Sequence, residues 1–113
     1  MAFTKNRAQM YEGVEVGKAM SEQIGSDSYG YWISEVDPVK NIVGLYSPET
    51  HFEDSWQDGT LKSAPFDKNR KSKYFLTAYR GKWYKINPKT HMRNHSTTLR
   101  LTEYPINYRD PSF

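Results

Sequence analysis

Apolar residues between positions 4 and 24 recur with the period of an α-helix. At spacings of three and four, one face of this helix would collect Met10, Tyr11, Val14, Gly17, Met20 or Ser21, and Ile24. Thr4 is placed to cap the first turn, and Gly25 is placed to end the last one. The pattern therefore predicts one long N-terminal helix.

Two glycines within that segment oppose the helix. Gly13 and Gly17 each cost about 1 kcal/mol relative to alanine in a helix interior. The run 14–16 also fits a short strand, so a strand remains the alternative for this part of the segment.

Beyond residue 28 the pattern changes to short apolar runs separated by turn residues. These runs predict five β-strands at 29–36, 41–46, 73–79, 82–87 and 97–104. Asp37-Pro38-Val39-Lys40 predicts the turn of a first hairpin, because its proline holds the favoured second position. Arg80-Gly81 predicts the two-residue turn of a second hairpin.

The register of the second hairpin assigns its side chains to two faces. One face would carry the pairs Tyr79 with Lys82, Thr77 with Tyr84, and Phe75 with Ile86. This face is largely apolar, so we expect Phe75, Tyr84 and Ile86 to be buried in the core. The opposite face would carry Tyr74, Leu76, Ala78, Trp83 and Lys85. Its mixture of aromatic and basic residues predicts a surface that either meets a partner or lies under the N-terminal helix.

The remaining segments are polar or rich in turn residues. Residues 47–70 predict a long irregular connection with a short helix near Glu49–Trp56, and connections of this length often carry function. Residues 88–96 predict a polar loop, and residues 105–113 an extended C-terminal tail.

Together these elements predict an α+β fold, with one N-terminal helix packed on an antiparallel sheet of four or five strands. The length of 113 residues fits a single domain over 1–113. The chain has no cysteine, which excludes disulfides and thiol chemistry and suits a reducing compartment. No apolar stretch is long enough to cross a membrane. We therefore expect a cytoplasmic protein without membrane contact, and the composition is typical of a viral or mobile-element accessory protein in the cytoplasm of its host.

Charge divides the chain into an acidic and a basic half. Residues 1–67 hold 5 basic and 11 acidic side chains, whereas residues 68–113 hold 11 basic and 2 acidic ones. The net charges of the halves are therefore −6 and +9. A one-sided basic segment is typical of contact with a polyanion.

Aromatic residues are threaded through the basic half, a combination typical of proteins that bind phosphates and stack bases. The sequence therefore predicts a non-enzymatic nucleic-acid-binding protein, with DNA and RNA both open. The candidate binding residues are Lys71, Lys73, Tyr74, Arg80, Lys82, Trp83, Lys85, Lys89, Arg93 and Arg100.

The main alternative is a protein-binding accessory or inhibitor, or a small structural subunit. The opposed charges of the two halves would favour head-to-tail association of copies, and lysines on a strand edge also serve to block strand addition. No cofactor motif is present.

Two groups of residues have the composition of metal ligands. His91 and His95 are spaced as two ligands on one helix face, although the surrounding sequence predicts a loop. Glu49, His51, Glu53 and Asp54 form an acidic cluster that could hold Mg²⁺ or serve as an exposed patch.

The first hairpin resembles the opening hairpin of GIY-YIG nucleases over about 18 residues. The matching segments are Gly30-Tyr31-Trp32 and Ile42-Val43-Gly44-Leu45-Tyr46-Ser47. The resemblance implies phosphodiester cleavage with a single metal, served by strand tyrosines and a following Arg and Glu. The chain departs from the family pattern at Tyr31, Trp32 and Ile42, and it has no arginine between Ser47 and Arg70. A degenerate nuclease is therefore the third candidate function.

Overall fold

The computed structural model describes residues 5–52, 60–90 and 92–109. Its elements are α1 (Arg7–Met10), β1 (Ala19–Ile24), β2 (Asp27–Asp37), β3 (Ile42–Tyr46), β4 (Thr50–Phe52), β5 (Thr60–Ser63), β6 (Tyr74–Tyr79), β7 (Lys82–Ile86), β8 (Arg93–Thr97), β9 (Arg100–Thr102) and β10 (Asn107–Tyr108). Within the described residues all ten strands belong to one antiparallel sheet. The predicted α+β class, with a helix packed on four or five strands, is therefore wrong.

The predicted helix over 4–24 is replaced by a single helical turn and a strand. Asn6 caps α1 in a capping box with Gln9. Gly13 and Gly17 then adopt φ values of +75° and +91°, a left-handed conformation that glycine tolerates and a helix does not contain. Residues 19–24 form β1, whose last residue Ile24 is exposed although the helical pattern placed it on the apolar face.

The strands close into a ring. Antiparallel pairing joins β1 to β2, β2 to β3, β3 to β6, β6 to β7 and β7 to β8. The next strand, β9, begins three residues after β8 ends and pairs with β1. One run of chain, 93–102, thus joins the two edges of the sheet. Register shifts between Ile33 and Glu35 and between Tyr84 and Ile86 supply the bending that β-bulges introduce.

Three further strands extend the sheet beside the ring. Strand β10 pairs with β2 and with β5, which pairs in turn with β4. This docking depends on Gly30, because a Cβ there would lie 2.5 Å from the Cα of Pro105 and still closer to the Ile106 nitrogen. Asn107 fixes the same junction by accepting a hydrogen bond from Gly30 N and donating one to Ser63 Oγ.

The interior of the ring holds the hydrophobic core. Its buried members are Val14, Met20, Ile33, Val43, Leu45, Leu76, Ala78, Trp83 and Leu99. They come from β1, β2, β3, β6 and β7, from the turn after α1 and from the β8–β9 junction. Tyr11 adds an edge-to-face contact to Trp83, with 5.3 Å between ring centroids.

The second hairpin has the predicted register but the opposite orientation. The pairs Tyr79–Lys82, Thr77–Tyr84 and Phe75–Ile86 are confirmed. The expectation that Phe75, Tyr84 and Ile86 are buried is confirmed for Ile86, which is 8% exposed, whereas Phe75 and Tyr84 are only half-buried. The core face is the alternate one, which carries fully buried Leu76 and Trp83, which is only 7% exposed. Trp83 is therefore a core residue. The curled sheet and Tyr11 shield its side chain from solvent. The pattern of the hairpin alone does not predict these contacts, because they come from other parts of the chain.

The predicted loops also contain strands. Strands β4 and β5 lie within the predicted irregular connection 47–70, so the short helix expected near Glu49–Trp56 is wrong over 50–52, and residues 53–56 of it lie outside the described residues. Strand β8 lies mostly within the predicted loop 88–96, and the last predicted strand shortens to β9. No helix in the described parts of the chain is long and apolar enough to cross a membrane.

Candidate functional site

The outer surface of β3, β6, β7 and β8 carries a groove of about 640 Å³. Its lining residues are Arg7, Lys40, Asn41, Ile42, Thr77, Ala78, Tyr79, Ile86, Met92 and Arg93. We refer to this set as the outer groove. Four separate parts of the chain supply it: α1, the β2–β3 turn with the start of β3, the β6–β7 hairpin, and the start of β8.

Asn41 builds the base of the outer groove. It occupies a left-handed conformation with φ of +60°, which asparagine tolerates better than most residues. Its Nδ2 donates to the Ala78 carbonyl at 2.8 Å, and its Oδ1 accepts from Ala78 N at 3.0 Å. The same oxygen accepts from the Tyr11 hydroxyl at 3.0 Å. One amide therefore ties the β2–β3 turn to β6 and to the segment after α1.

Asn87 holds the opposite wall in place. Its Oδ1 accepts hydrogen bonds from the backbone N–H groups of Lys89 and Thr90, and its own N–H donates to the Met92 carbonyl. Such a side-chain turn is typical of asparagine. It leads the chain back along β7, so that Met92 and Arg93 face the groove.

Arg93 and Tyr79 form the closest cation–aromatic contact of the outer groove. The Arg93 guanidinium carbon lies 3.7 Å from the centroid of the Tyr79 ring and 5.8 Å from that of Tyr84. Arg80 approaches the Tyr79 ring at 5.3 Å, and the two tyrosines meet edge to face. Tyr79 nevertheless remains 38% exposed, so the Arg93–Tyr79 pair is accessible from solvent.

The charge of the outer groove is of one sign. Arg7, Lys40 and Arg93 line it, and no carboxylate does so among the described residues. The nearest acidic group in the turn, Asp37, accepts a hydrogen bond from Lys40 N and reduces the local positive potential without lining the groove. Exposed Arg80 and Lys82 add two cations in the adjacent hairpin.

The structure brings together only part of the predicted binding set. Arg93 lines the outer groove, with Arg80 and Lys82 beside it. Lys71, Lys89 and Arg100 are exposed elsewhere, and Lys73 precedes β6 with its Nζ 5.9 Å from the Tyr74 ring. Trp83 belongs to the core and Tyr74 packs against it, while Lys85 Nζ lies 3.9 Å from Glu22 Oε1, so these three predicted residues face the inside of the ring and not the outer groove.

An inner polar cluster inside the ring is formed by Glu22, Tyr31, Tyr74 and Lys85. Glu22 is 5% exposed, and its Oε1 lies 3.9 Å from Lys85 Nζ. That oxygen has no hydrogen-bond partner among the described residues. Tyr31 and Tyr74 meet edge to face at 5.5 Å, and Lys85 Nζ is 6.0 Å from the Tyr74 ring. The charge of Lys85 is therefore directed at Glu22 instead of an external phosphate.

Burial raises the pKa of two tyrosines to about 12. For Tyr31, burial is the largest cause, followed by the negative charge of Glu22. For Tyr11, burial is again the largest cause, and Arg7 opposes it. Burial disfavours the phenolate because the charged form loses hydration.

We expect stability to fall as the pH rises from about 10 to about 12. In the unfolded chain a tyrosine ionises near pH 10, whereas folded Tyr11 and Tyr31 hold their protons to about pH 12. Their contribution to stability is therefore complete below pH 10 and is lost above it. Denaturant unfolding across this range measures the effect. Tyr31→Phe removes one titrating group, so an unchanged alkaline dependence in that variant would contradict the assignment.

The candidate metal ligands are not brought together in the described part of the structure. His95 lies on β8, so the helix that would align it with His91 is absent there, and His91, Glu53 and Asp54 lie outside the described residues. Across residues 5–52, 60–90 and 92–109, no group of three or more His, Cys, Asp or Glu could hold a metal ion.

The hairpin that resembles the nuclease family is present as β2 and β3. Its Tyr31 packs against the core inside the ring. After β3 the described chain continues through 47–49 into β4, where the family pattern places a helix. The hairpin is thus part of a different architecture.

The sequence pattern gives no signal for several residues of the outer groove. Arg7 and Lys40 belong to the acidic half of the chain, and Tyr79 was assigned to the predicted core face. An Asn directly after the Asp37–Lys40 turn is the one local signal, because asparagine favours left-handed turn positions.

Comparison with protein-family models, with curated proteins and with solved structures finds no match to this chain.

Proposed function

We propose that this protein binds nucleic acid, without catalysis, in the outer groove. The observation that carries the proposal is the convergence of Arg7, Lys40 and Arg93 on one concave surface whose described lining has no carboxylate. In proteins that bind nucleic acid, Lys and Arg side chains that displace counterions from phosphates supply most of the sequence-independent affinity. Because a chain without cysteine suits a reducing compartment, the proposed setting is the cytoplasm.

The exposed aromatic ring of Tyr79 supports the same function. Nucleic-acid grooves that do not read sequence combine cations along the backbone path with aromatic rings for the bases. Here the cations come from both halves of the chain, so folding assembles a positive surface that the division of charge along the sequence only partly predicts.

Charge reversal on the groove wall tests the proposal. In the double variant Arg7→Glu/Lys40→Glu, binding of a fluorescent oligothymidylate of about 20 nucleotides should weaken at least about tenfold at low salt. The slope of log affinity against log salt should fall by about 1.4, since each phosphate contact contributes about 0.7 for a single strand. Fluorescence anisotropy between roughly 50 and 200 mM salt measures both quantities.

The matched control is Lys18→Glu/Lys62→Glu. Both lysines are exposed and lie outside the outer groove, and the change in net charge is the same. This variant should lose much less affinity. Equal losses in the two double variants would show that net charge, and not the groove, controls binding. Absence of binding by the unmodified protein at low salt, together with salt-sensitive self-association on a sizing column, would contradict the proposed function and support assembly between copies.

A further inference from the structure

We propose that the nucleic acid taken by the outer groove is single-stranded and that one unpaired base stacks on the guanidinium of Arg93. This inference rests on the proposed function, and it specifies the ligand class and the contact. The base, Arg93 and Tyr79 would then form three successive planar layers.

The first argument is the apolar floor of the outer groove. Ile42 of β3, Ile86 of β7 and Met92 line the groove, with Lys40 just before β3 at one side and Arg93 on β8 at the other. Met92 is largely exposed, although it is apolar. In a duplex the base faces are stacked inside and the phosphates lie outside. A duplex would therefore bring charged phosphates against this apolar floor, where they would lose hydration without gaining a hydrogen-bond partner. An unpaired base can cover the floor while its phosphates reach the cations at either side.

The second argument is the preformed stack. The Arg93 guanidinium carbon already lies over the Tyr79 ring at 3.7 Å, and Arg93 is exposed, so the side chain is accessible to a ligand. Arginine stacks on aromatic planes, and lysine has no equivalent planar group. Because the ring of Tyr79 holds Arg93 in place before binding, less side-chain entropy is lost when a base arrives.

The substitution Arg93→Lys separates stacking from charge. Affinity should be measured by anisotropy for three probes of about 20 nucleotides or base pairs: oligothymidylate, oligouridylate and a DNA duplex. We expect the unmodified protein to bind both single strands at least about tenfold more tightly than the duplex. Arg93→Lys should lose about tenfold for both single strands, which corresponds to the loss of one base stack. Its salt dependence and its affinity for the duplex should stay the same.

Three further variants serve as controls. Arg100→Lys makes the same chemical change at an exposed position on β9 outside the groove, and it should leave all three affinities unchanged. Tyr79→Leu removes the ring under Arg93 and should match Arg93→Lys, and Arg7→Lys, which keeps the charge at a position away from the stack, should retain its preference for single strands. Thermal unfolding of each variant verifies that it is folded.

Two results would overturn the inference. One is a duplex affinity equal to or above that for the single strands. The other is an Arg93→Lys variant that binds single strands normally. If the duplex binds and this binding depends on Arg7 and Lys40, the proposed function stands and only the single-strand inference fails.

Discussion

Trp83→Ala should lower the free energy of unfolding by about 3–5 kcal/mol, the range typical of large aromatic truncations in a core. Trp83 is 7% exposed and packs inside the ring, with Tyr11 edge to face at 5.3 Å. The truncation would leave a cavity between β6, β7 and the turn after α1. Equilibrium unfolding in denaturant measures the loss.

The matched control is Phe75→Ala on the outer face of the same hairpin. Phe75 is partly buried, so its truncation should cost distinctly less than that of Trp83. A larger loss for Phe75 than for Trp83 would show that the hairpin faces the core with its other surface. Since Trp83 does not line the outer groove, a folded population of the Trp83 variant should bind oligonucleotide normally.

Lys85→Met should destabilise the protein by about 2–3 kcal/mol without weakening the binding of nucleic acid. The change keeps most of the aliphatic stem but leaves the carboxylate of Glu22, 5% exposed, without its only described ion-pair partner. Removing one partner of a fully buried pair typically costs roughly 3–5 kcal/mol. Lys85 is 29% exposed, so solvent reduces the cost here.

A second substitution checks the cause of that loss. The double variant Glu22→Gln/Lys85→Met removes the buried charge as well as its partner, and it should be at least about 1 kcal/mol more stable than Lys85→Met alone. A double variant with the summed loss of both single variants would mean that the two side chains are not coupled. A large loss of oligonucleotide affinity in Lys85→Met would contradict the inward position of this lysine.

The sequence predicts local pairing well where a turn defines it. The Asp37–Lys40 turn and the Arg80-Gly81 turn each join two strands as predicted, and the register of the second hairpin is confirmed. A turn fixes which residues pair, but it does not fix which face meets the core. In β6 and β7 both faces are rich in apolar and aromatic residues, so alternation alone leaves the choice open. The closure of the sheet into a ring decides which face is buried, and this closure depends on contacts between residues distant in sequence.

The N-terminal segment shows the reverse problem. Its apolar spacing matches a helix, yet Gly13 and Gly17 turn the chain at positive φ. Residues 19–24 pair with β2, and residues 19–21 also pair with β9. Backbone pairing from two sides outweighs a helical pattern of modest intrinsic propensity. Strands β4 and β5 escape prediction because they are short and polar on one side, and their pairing is visible only in the folded chain.

The sequence predicts the residue types of the candidate site better than it predicts where the site lies on the fold. Predicted basic and aromatic residues do contribute, through Tyr79 of the second hairpin and Arg93 at the start of β8. The charge division along the sequence gives no hint that Arg7 and Lys40 join them, because those residues stand among acidic neighbours. Their convergence depends on Asn41, whose amide binds the backbone of Ala78 across the sheet.

Amide chemical-shift mapping with oligothymidylate tests the central claim most directly, because it locates the bound ligand on the fold. On titration at low salt, the largest shifts should fall on residues 41–42, 77–79, 86 and 92–93, which line the outer groove. A second cleft, lined by Trp32, Leu61 and residues 104–108, should change little. Shifts concentrated in that cleft, or spread over all exposed cations without preference for the groove, would contradict the account.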